Sequence, residues 1–287
     1  MGTDRLEALL DLLDLEDVDR DLYRGACEPH LHGHIFGGQV LAQALIAARR
    51  TVEGRDAHSL HGYFLRRGDA SRPILYTVRR LRDGASFSNR DVVASQDGAA
   101  LFQMSASFHG DQDGYEHEEV MPEVPEPETL PTHEEIVAEY RDRFPSDTAG
   151  WAANRRAFDL RHVMVPSYLG GEVSSGPNYA WFRTFGTLGD DAPLHQALVA
   201  YATDMSFNDN AIRPHGRNGP LGSQRMASLD HSLWLHEPVR ADEWLLFVQE
   251  SPKAGRGRGL VTGRLHDRSG RMVASVVQET LLRPQAS

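Results

Sequence analysis

Three polar residues in the second half of the chain have types that could together activate a water molecule. Asp204 interrupts the mainly apolar stretch YATDMSF, Ser228 opens the β-rich stretch SLDHSLWL, and Gln278 lies in VASVVQET. Burying a carboxylate costs free energy unless it is hydrogen-bonded or used in catalysis. Asp204 is therefore a candidate general base, with the hydroxyl and the amide orienting the water. In the alternative interpretation, Asp204 caps a helix end and Gln278 faces solvent from a strand.

Motifs of several other enzyme classes are missing from the sequence. It has no G-x-S-x-G elbow, no S-x-x-K, no H-E-x-x-H and no P-loop. Gly255, Gly257 and Gly259 lie between two strand-like runs rather than at the start of a helix, which favours a flexible hairpin over a nucleotide-binding loop. These observations argue against an α/β serine hydrolase, a zinc peptidase and a P-loop nucleotide hydrolase.

Histidines occur at two places where they could bind a metal ion or lie near a functional site. His30, His32 and His34 alternate, which would put three imidazoles on one face of an extended strand. No carboxylate or cysteine accompanies them at a characteristic ligand spacing, so a surface loop is the favoured interpretation, and no metal or cofactor is expected. His58 and His61 flank a predicted strand start, and the sequence does not decide between a structural role and a place near a site.

The elements that must position these residues form an internal repeat. An apolar helical run at 40–48 follows two glycines, and four β-rich runs at 59–108 follow it. A helical run at 194–207 and four further β-rich runs at 228–279 repeat this order, at an offset of about 170 residues. The pattern predicts an α+β fold with two curved antiparallel sheets, each wrapped around a central helix. We expect the sheets to join edge to edge, which protects open strand edges.

The domain boundaries follow from composition. Residues 111–139 contain eleven acidic residues and no lysine or arginine, and the formal charge of the whole chain is −11. Four prolines fall in the same segment, so we expect a solvated connector, with a further helix at 132–145. The predicted units are residues 1–110, an acidic proline-rich linker at 111–150, and residues 151–287, which carry the candidate catalytic residues. A leucine-rich helix is expected at 5–15.

Length and composition indicate a folded protein of two units. The chain has 287 residues, of which 40% are hydrophobic and 25% charged. Its apolar runs are too short to cross a bilayer, and no targeting signal is recognised. Cys27 is the only cysteine, so it cannot form an internal disulfide, and it lacks the companions of a thiol nucleophile. We expect a small buried side chain at Cys27 and a cytoplasmic protein.

Motifs distributed along almost the whole chain resemble those of the acyl-CoA thioesterase II (TesB-like) family, the double hot dog thioesterases. They are FGGQVLAQAL, HSLHGYFLRRGD, LRDGASFSNRDVVASQDG, MSASF, YATDMSF, LDHSLWLH, DEWLL and VASVVQE. In that family an Asp on the second helix, a Thr at the start of the next strand and a Gln on the last strand hold the hydrolytic water. The resemblance implies these roles for Asp204, Ser228 and Gln278. Ser228 departs from the usual threonine, and its rotamer is less restricted.

The implied reaction is hydrolysis of fatty acyl-CoA to a free fatty acid and CoA by activated water, without a cofactor or metal. The alternatives are a hot dog enoyl-CoA hydratase and a non-catalytic acyl-CoA-binding module. The resemblance implies an acyl-CoA substrate and a homo-oligomer, and we expect neither nucleic-acid binding nor membrane insertion. Arginines at the cleft rim could contact the CoA phosphates. The loose candidates are Arg66, Arg67, Arg90, Arg256 and Arg258.

Overall fold

The computed structural model of the chain describes residues 3–28, 34–140, 157–216 and 225–283. The first half contains α1 (Thr3–Leu13), β1 (Glu16–Asp19), β2 (Leu22–Gly25), α2 (Gly37–Arg49), β3 (Asp56–Phe64), β4 (Ile74–Asp83), β5 (Phe87–Gln96) and β6 (Ala99–His109). A 3₁₀ turn (Pro127–Thr129) and α3 (His133–Glu139) follow.

The second half repeats this order of elements. It contains β7 (Phe158–His162), a 3₁₀ turn (Ser167–Leu169), β8 (Asn178–Thr184), α4 (Ala192–Thr203), α5 (Asp209–Ile212), a 3₁₀ turn (Arg213–His215), β9 (Arg225–Ser228), β10 (Asp230–Leu235), β11 (Leu245–Gly255), β12 (Arg258–Asp267) and β13 (Met272–Arg283). The helix and the four strands predicted in each half are all present. Each half also has a pair of strands before its main helix, which the sequence analysis did not predict.

The 13 strands of the described residues belong to one sheet, in the order β1-β2-β4-β5-β6-β3-β10-β13-β12-β11-β8-β7, with β9 paired to β13. Corresponding strands of the two halves therefore occur in the same order from either end. The halves meet where β3 pairs antiparallel with β10, with His61 opposite Ser232. The two sheets predicted from the sequence are thus joined into one continuous sheet, and each half covers what would otherwise be the other's open edge.

The two central helices pack against each other inside this sheet. The α2 helix is buried almost all round, as its apolar sequence indicates, and it contacts α4 and strands β3 to β6. The α4 helix begins at a cap where the Asp191 carboxylate accepts from the Leu194 N–H, with a proline in the first turn. Both helices contribute to one apolar core that also contains Phe102, Phe207 and Phe247. The core holds the C-terminal end of α4 close to the N-terminal end of α2.

The later part of the acidic segment packs against the second half of the chain. It has no helix or strand before the 3₁₀ turn at Pro127, as its prolines predict, but Met121, Val124 and Leu130 pack on a cluster around Trp181 and Trp244. The Trp181 indole donates to the Pro125 carbonyl at 3.0 Å. Ion pairs attach the same segment, from Glu119 to Arg264 and from Glu126 and Glu128 to Arg268. Residues 111–120 are exposed, as expected of a solvated connector, whereas the packing of Met121, Val124 and Leu130 was not predicted.

Two other helix predictions can be compared with the structure. The leucine-rich helix expected at 5–15 is α1, whose Leu6, Leu9 and Leu13 are buried. The helix expected at 132–145 is α3, which begins at a capping box between Thr132 and Glu135. Residues 141–145 lie outside the described residues.

Candidate active site

Asp204 lies immediately after α4, at its C-cap, and only 6% of the residue is exposed. Its carboxylate faces the start of α2 in the other half of the chain. A Cβ added at Gly37 would lie 2.7 Å from the Asp204 Oδ2, and the Gly38 backbone N–H forms a hydrogen bond with the carboxylate. Only glycine leaves room for this approach. The site is therefore built by both halves, although the sequence pattern assigns its polar residues to the second half alone.

Ser228 and Gln278 reach the same place from β9 and β13. The Ser228 hydroxyl lies 3.4 Å from Asp204 Oδ1, and the Gln278 Nε2 donates to the Ser228 Oγ at 3.0 Å. Gln278 is fully buried, so the alternative in which it faces solvent is wrong. The structure brings the three candidate residues of the sequence analysis together. It also places Asp204 at a helix end, as the alternative interpretation of Asp204 predicted.

Burial raises the pKa of Asp204 from 3.8 to about 7, since desolvation disfavours the charged carboxylate. Hydrogen bonds from Gln278, the Gly38 N–H and Ser228 act in the opposite direction and lower the pKa. The N-terminal end of α2 is also a favourable place for negative charge. A carboxylate with a pKa near neutrality is suited to taking a proton from water.

Three residues that surround the catalytic candidates, Thr203, Asn208 and His231, were not predicted from the sequence. Asn208 accepts from the Gln278 Nε2 at 2.7 Å and donates to the Ser228 Oγ at 3.1 Å. The His231 Nδ1 contacts the Gln278 Oε1, and its Nε2 lies 3.1 Å from the Thr203 Oγ1. Only their positions in the sequence could have indicated these residues, because Asn208 follows Asp204 by four residues and His231 follows Ser228 by three.

The arginine candidates fall into three groups. Arg66 and Arg67 are exposed and follow β3, whose last residue, Phe64, lies beside Gly37. Arg256 and Arg258 are exposed in the β11–β12 hairpin, and Arg258 pairs with Glu279 at 2.8 Å. Arg90 is 1% exposed. Its guanidinium donates to Thr51 and Asp83 inside the first half, so it is a structural residue, and its candidacy as a CoA contact is wrong.

Cys27, His58 and His61 have no contact with Asp204, Ser228 or Gln278 among the hydrogen bonds of the described residues. Burial raises the pKa of the half-buried Cys27 thiol, the opposite of what an activated nucleophile needs. His58 contacts Ser107, and His61 contacts Ser232 on the outer face of the sheet.

The metal hypothesis for the alternating histidines concerns a region the structure only partly covers. His34 contacts Arg67 at 3.3 Å, while His30 and His32 lie outside the described residues. Within the described ranges, no three His, Cys, Asp or Glu side chains form a group that could hold a metal ion.

Comparison with known proteins places this arrangement in a family. A model described as "Acyl-CoA thioesterase N-terminal domain" matches residues 28–109, and one described as "Acyl-CoA thioesterase" matches residues 152–281. The chain is 40% identical to acyl-coenzyme A thioesterase 8 of Mus musculus, over 96% of this chain and 89% of that protein. This chain belongs to the acyl-CoA thioesterase family. Members of this family are thioester hydrolases, as the sequence resemblance implied.

Solved structures of family members and more distant proteins share the fold. Acyl-CoA thioesterase II TesB2 from Mycobacterium marinum is 38% identical, with a TM-score of 0.79 and 98% of each chain covered. A hot dog protein of unknown function from Alicyclobacillus acidocaldarius is 19% identical, with a TM-score of 0.75 over 97% of this chain and 99% of that one. At that identity the likeness shows the hot dog fold alone. Among the described residues of this acyl-CoA thioesterase, the longest helix has 13 residues, and no helix is long and apolar enough to cross a bilayer.

Proposed function

We propose that Asp204 is the general base of fatty acyl-CoA hydrolysis, with Ser228 and Gln278 holding the carboxylate and the attacking water. The observation that carries this proposal is that Ser228 of β9 and Gln278 of β13 meet at the buried Asp204 carboxylate, which follows α4 and has a pKa of about 7. Gln278 donates to the Ser228 hydroxyl, so the two side chains and Asp204 form one hydrogen-bonded group.

In this mechanism Asp204 removes a proton from water while the water oxygen attacks the thioester carbonyl carbon. The carbonyl oxygen becomes an oxyanion, which the backbone N–H groups at the start of α2 stabilise. The first N–H groups of a helix have no acceptor within the helix, and the glycines at 37 and 38 let the Asp204 carboxylate and the Tyr201 carbonyl lie close to the start of α2. The carbon–sulfur bond then breaks, and the CoA thiolate receives the proton held by Asp204. The products are a fatty acid and free CoA thiol.

Two other functions use the same scaffold. A hot dog hydratase pairs an Asp with a His in a short motif on one helix, but His231 lies on β10 and contacts Thr203 and Gln278 rather than Asp204. A binding module without catalysis would have no use for a carboxylate held in a costly buried position. Thioester hydrolysis therefore accounts best for this site.

The proposal is tested by measuring thiol release from saturated acyl-CoAs, from acetyl to palmitoyl, beside hydration of an enoyl-CoA. We expect thiol release from at least one saturated acyl-CoA and no hydration. Hydration without thiol release would favour the hydratase, and ligand binding without either product would favour the binding module. The series also gives the chain-length preference.

The activity should depend on pH through Asp204. A general base works only when ionised, and burial holds the Asp204 pKa at about 7. We therefore expect kcat/KM to rise as pH increases through about 7 and to level off above it. The Asp204→Asn variant should lack this dependence in whatever activity remains. If the wild-type kcat/KM stays constant from about pH 5.5 to about pH 8.5, Asp204 is not the general base.

The larger organisation is proposed on the same basis. We assign residues 1–110 and 151–287 to two hot dog units that form a double hot dog, with residues 111–150 between them. The mirrored strand order about the β3–β10 pair supports this division. A homo-oligomer stays a prediction, which size-exclusion chromatography with light scattering would check. A cytoplasmic location rests on the single cysteine of the chain.

A further inference from the structure

His231 is a buried residue of β10 whose ring is held on both sides. The residue has no exposed surface, and burial lowers its pKa from 6.5 to about 4, so the ring is neutral at physiological pH. A neutral imidazole has one N–H donor and one acceptor nitrogen. The Nδ1 faces the Gln278 Oε1, and the Nε2 faces the Thr203 hydroxyl. Which nitrogen carries the proton therefore decides the direction of the hydrogen bond between His231 and Gln278.

The hydrogen bonds around Ser228 determine that direction. An ionised Asp204 can only accept, so the single Ser228 proton points to Asp204, and the Ser228 oxygen accepts from both Gln278 and Asn208. The Gln278 amide nitrogen is thereby directed to Ser228 and Asn208, which leaves its oxygen facing His231. An amide oxygen only accepts, so the His231 Nδ1 must carry the proton. Its Nε2 is then the unprotonated nitrogen, which lies 3.1 Å from the Thr203 hydroxyl, and that hydroxyl donates its proton to the Ala200 carbonyl at 3.0 Å.

We infer that His231, as its Nδ1–H tautomer, is a positioning residue that fixes the orientation of the Gln278 carboxamide and, through it, the direction of the Ser228 hydroxyl. This inference rests on the proposed roles of Asp204, Ser228 and Gln278. The chain of donors runs from His231 through Gln278 and Ser228 to Asp204, and every proton in it points toward the reactive carboxylate.

A reversed arrangement would disable the base. If the Gln278 amide turned over, its oxygen would face Ser228, whose proton would then point to Gln278 rather than to Asp204. The hydrogen bonds that Asp204 accepts from Gln278 and Ser228 lower the pKa of the carboxylate, so their loss would leave more of the base protonated. His231 opposes this rotation because its Nδ1–H would lose its acceptor, and an unpaired buried donor is costly.

Two substitutions at His231 separate its hydrogen bond from its volume. Asn at 231 can place an amide N–H near the position of the Nδ1–H, whereas Leu fills a similar space without a donor. We expect His231→Leu to lower kcat by about 10- to 100-fold with KM changed far less, and His231→Asn to recover most of the loss. His61→Leu is the matched control. Its ring is exposed on the neighbouring strand and bonded to Ser232, so kcat should stay near the wild-type value.

A measurement on the unaltered protein tests the tautomer directly. In ¹⁵N-histidine NMR spectra, the His231 Nδ1 should be protonated and the Nε2 unprotonated, without titration across the neutral pH range. An Nε2–H tautomer, or equal loss of kcat in the Leu and Asn variants, would overturn the inference. This readout remains decisive where a His231 variant does not fold.

A further variant distinguishes this inference from the proposed function. Gln278→Leu removes the residue on which His231 acts. If Gln278→Leu hydrolyses acyl-CoA at the wild-type rate, the proposed site is wrong and the role of His231 falls with it. If Gln278→Leu is slow while His231→Leu keeps the wild-type kcat, only the inference about His231 is wrong.

Discussion

Replacing Asp204 by asparagine is expected to slow acyl-CoA hydrolysis by about 10²- to 10⁴-fold, the usual cost of losing a general base. Asparagine has nearly the same shape, and its oxygen can still accept from the Ser228 hydroxyl. It has no negative charge, however, and cannot take a proton from water. The measurement is steady-state release of CoA thiol by purified variant and wild type with the same acyl-CoA. A variant with wild-type kcat would show that another group is the base.

The folding stability of Asp204→Asn provides the control for this result. The pKa of Asp204 is about 7 in the folded protein and 3.8 as its reference value. Because the folded-state pKa is the higher one, the protonated carboxyl contributes stability that is complete below about pH 4 and is lost as pH rises through 7. Above pH 7 the wild type carries a buried charge at a cost of up to about 4 kcal/mol.

Asparagine carries no charge at any of these pH values. The stability of Asp204→Asn relative to wild type should therefore be greater at pH 8 than at pH 4. Denaturant unfolding at the two pH values measures this difference. An inactive variant whose stability relative to wild type rises from pH 4 to pH 8 has lost chemistry rather than structure, whereas a difference that stays constant or falls would contradict the raised pKa of Asp204.

The sequence predicted the repeated part of the fold because each repeated element has a strong local pattern. The strands β3 to β6 and β11 to β13 have nine to twelve residues, β10 alternates buried and partly exposed residues, and the matching order in the two halves reinforces each assignment. The strands β1, β2, β7 and β8 have only four to seven residues. A short segment such as EDVD has no β-rich composition, and it is a strand only because a neighbouring strand supplies its hydrogen bonds.

Residue types identified the catalytic candidates, but not the network that orients them. A carboxylate in an apolar run is an unusual and visible feature, and so is a repeat that differs at one position. His231 is neither, because its importance depends on which atoms of Gln278 and Thr203 it meets. Likewise, the composition of the acidic segment predicts its lack of regular structure correctly, but only the fold brings Glu126 and Glu128 to Arg268.

The contact between the two helices is the second feature on which activity should depend strongly, and Gly38 tests it. A Cβ added at Gly38 would lie 2.6 Å from the Tyr201 carbonyl oxygen in the last turn of α4, and 2.5 Å from the Phe36 ring. The ring can turn aside, but the carbonyl belongs to a buried helix backbone. Gly38→Ala must therefore push the start of α2 away from the end of α4 that carries Asp204.

We expect Gly38→Ala to lower kcat/KM by about 10²-fold, since a displacement of about 1 Å at a catalytic site can have that effect. It should also destabilise the fold by about 1 to 3 kcal/mol through overpacking. The sign of the stability change is informative. Alanine is a better helix former than glycine by about 1 kcal/mol, so the substitution would stabilise the protein if the site were unhindered. Thiol release and denaturant unfolding measure the two effects.

Gly110→Ala is the control for Gly38→Ala, because a Cβ at Gly110 meets nothing within 4 Å. It should leave both rate and stability unchanged. If Gly38→Ala were instead as active as wild type and more stable, the start of α2 would have room for a side chain beside α4. Stabilisation of the oxyanion would then have to come from another part of the site, although Asp204 could still act as the base.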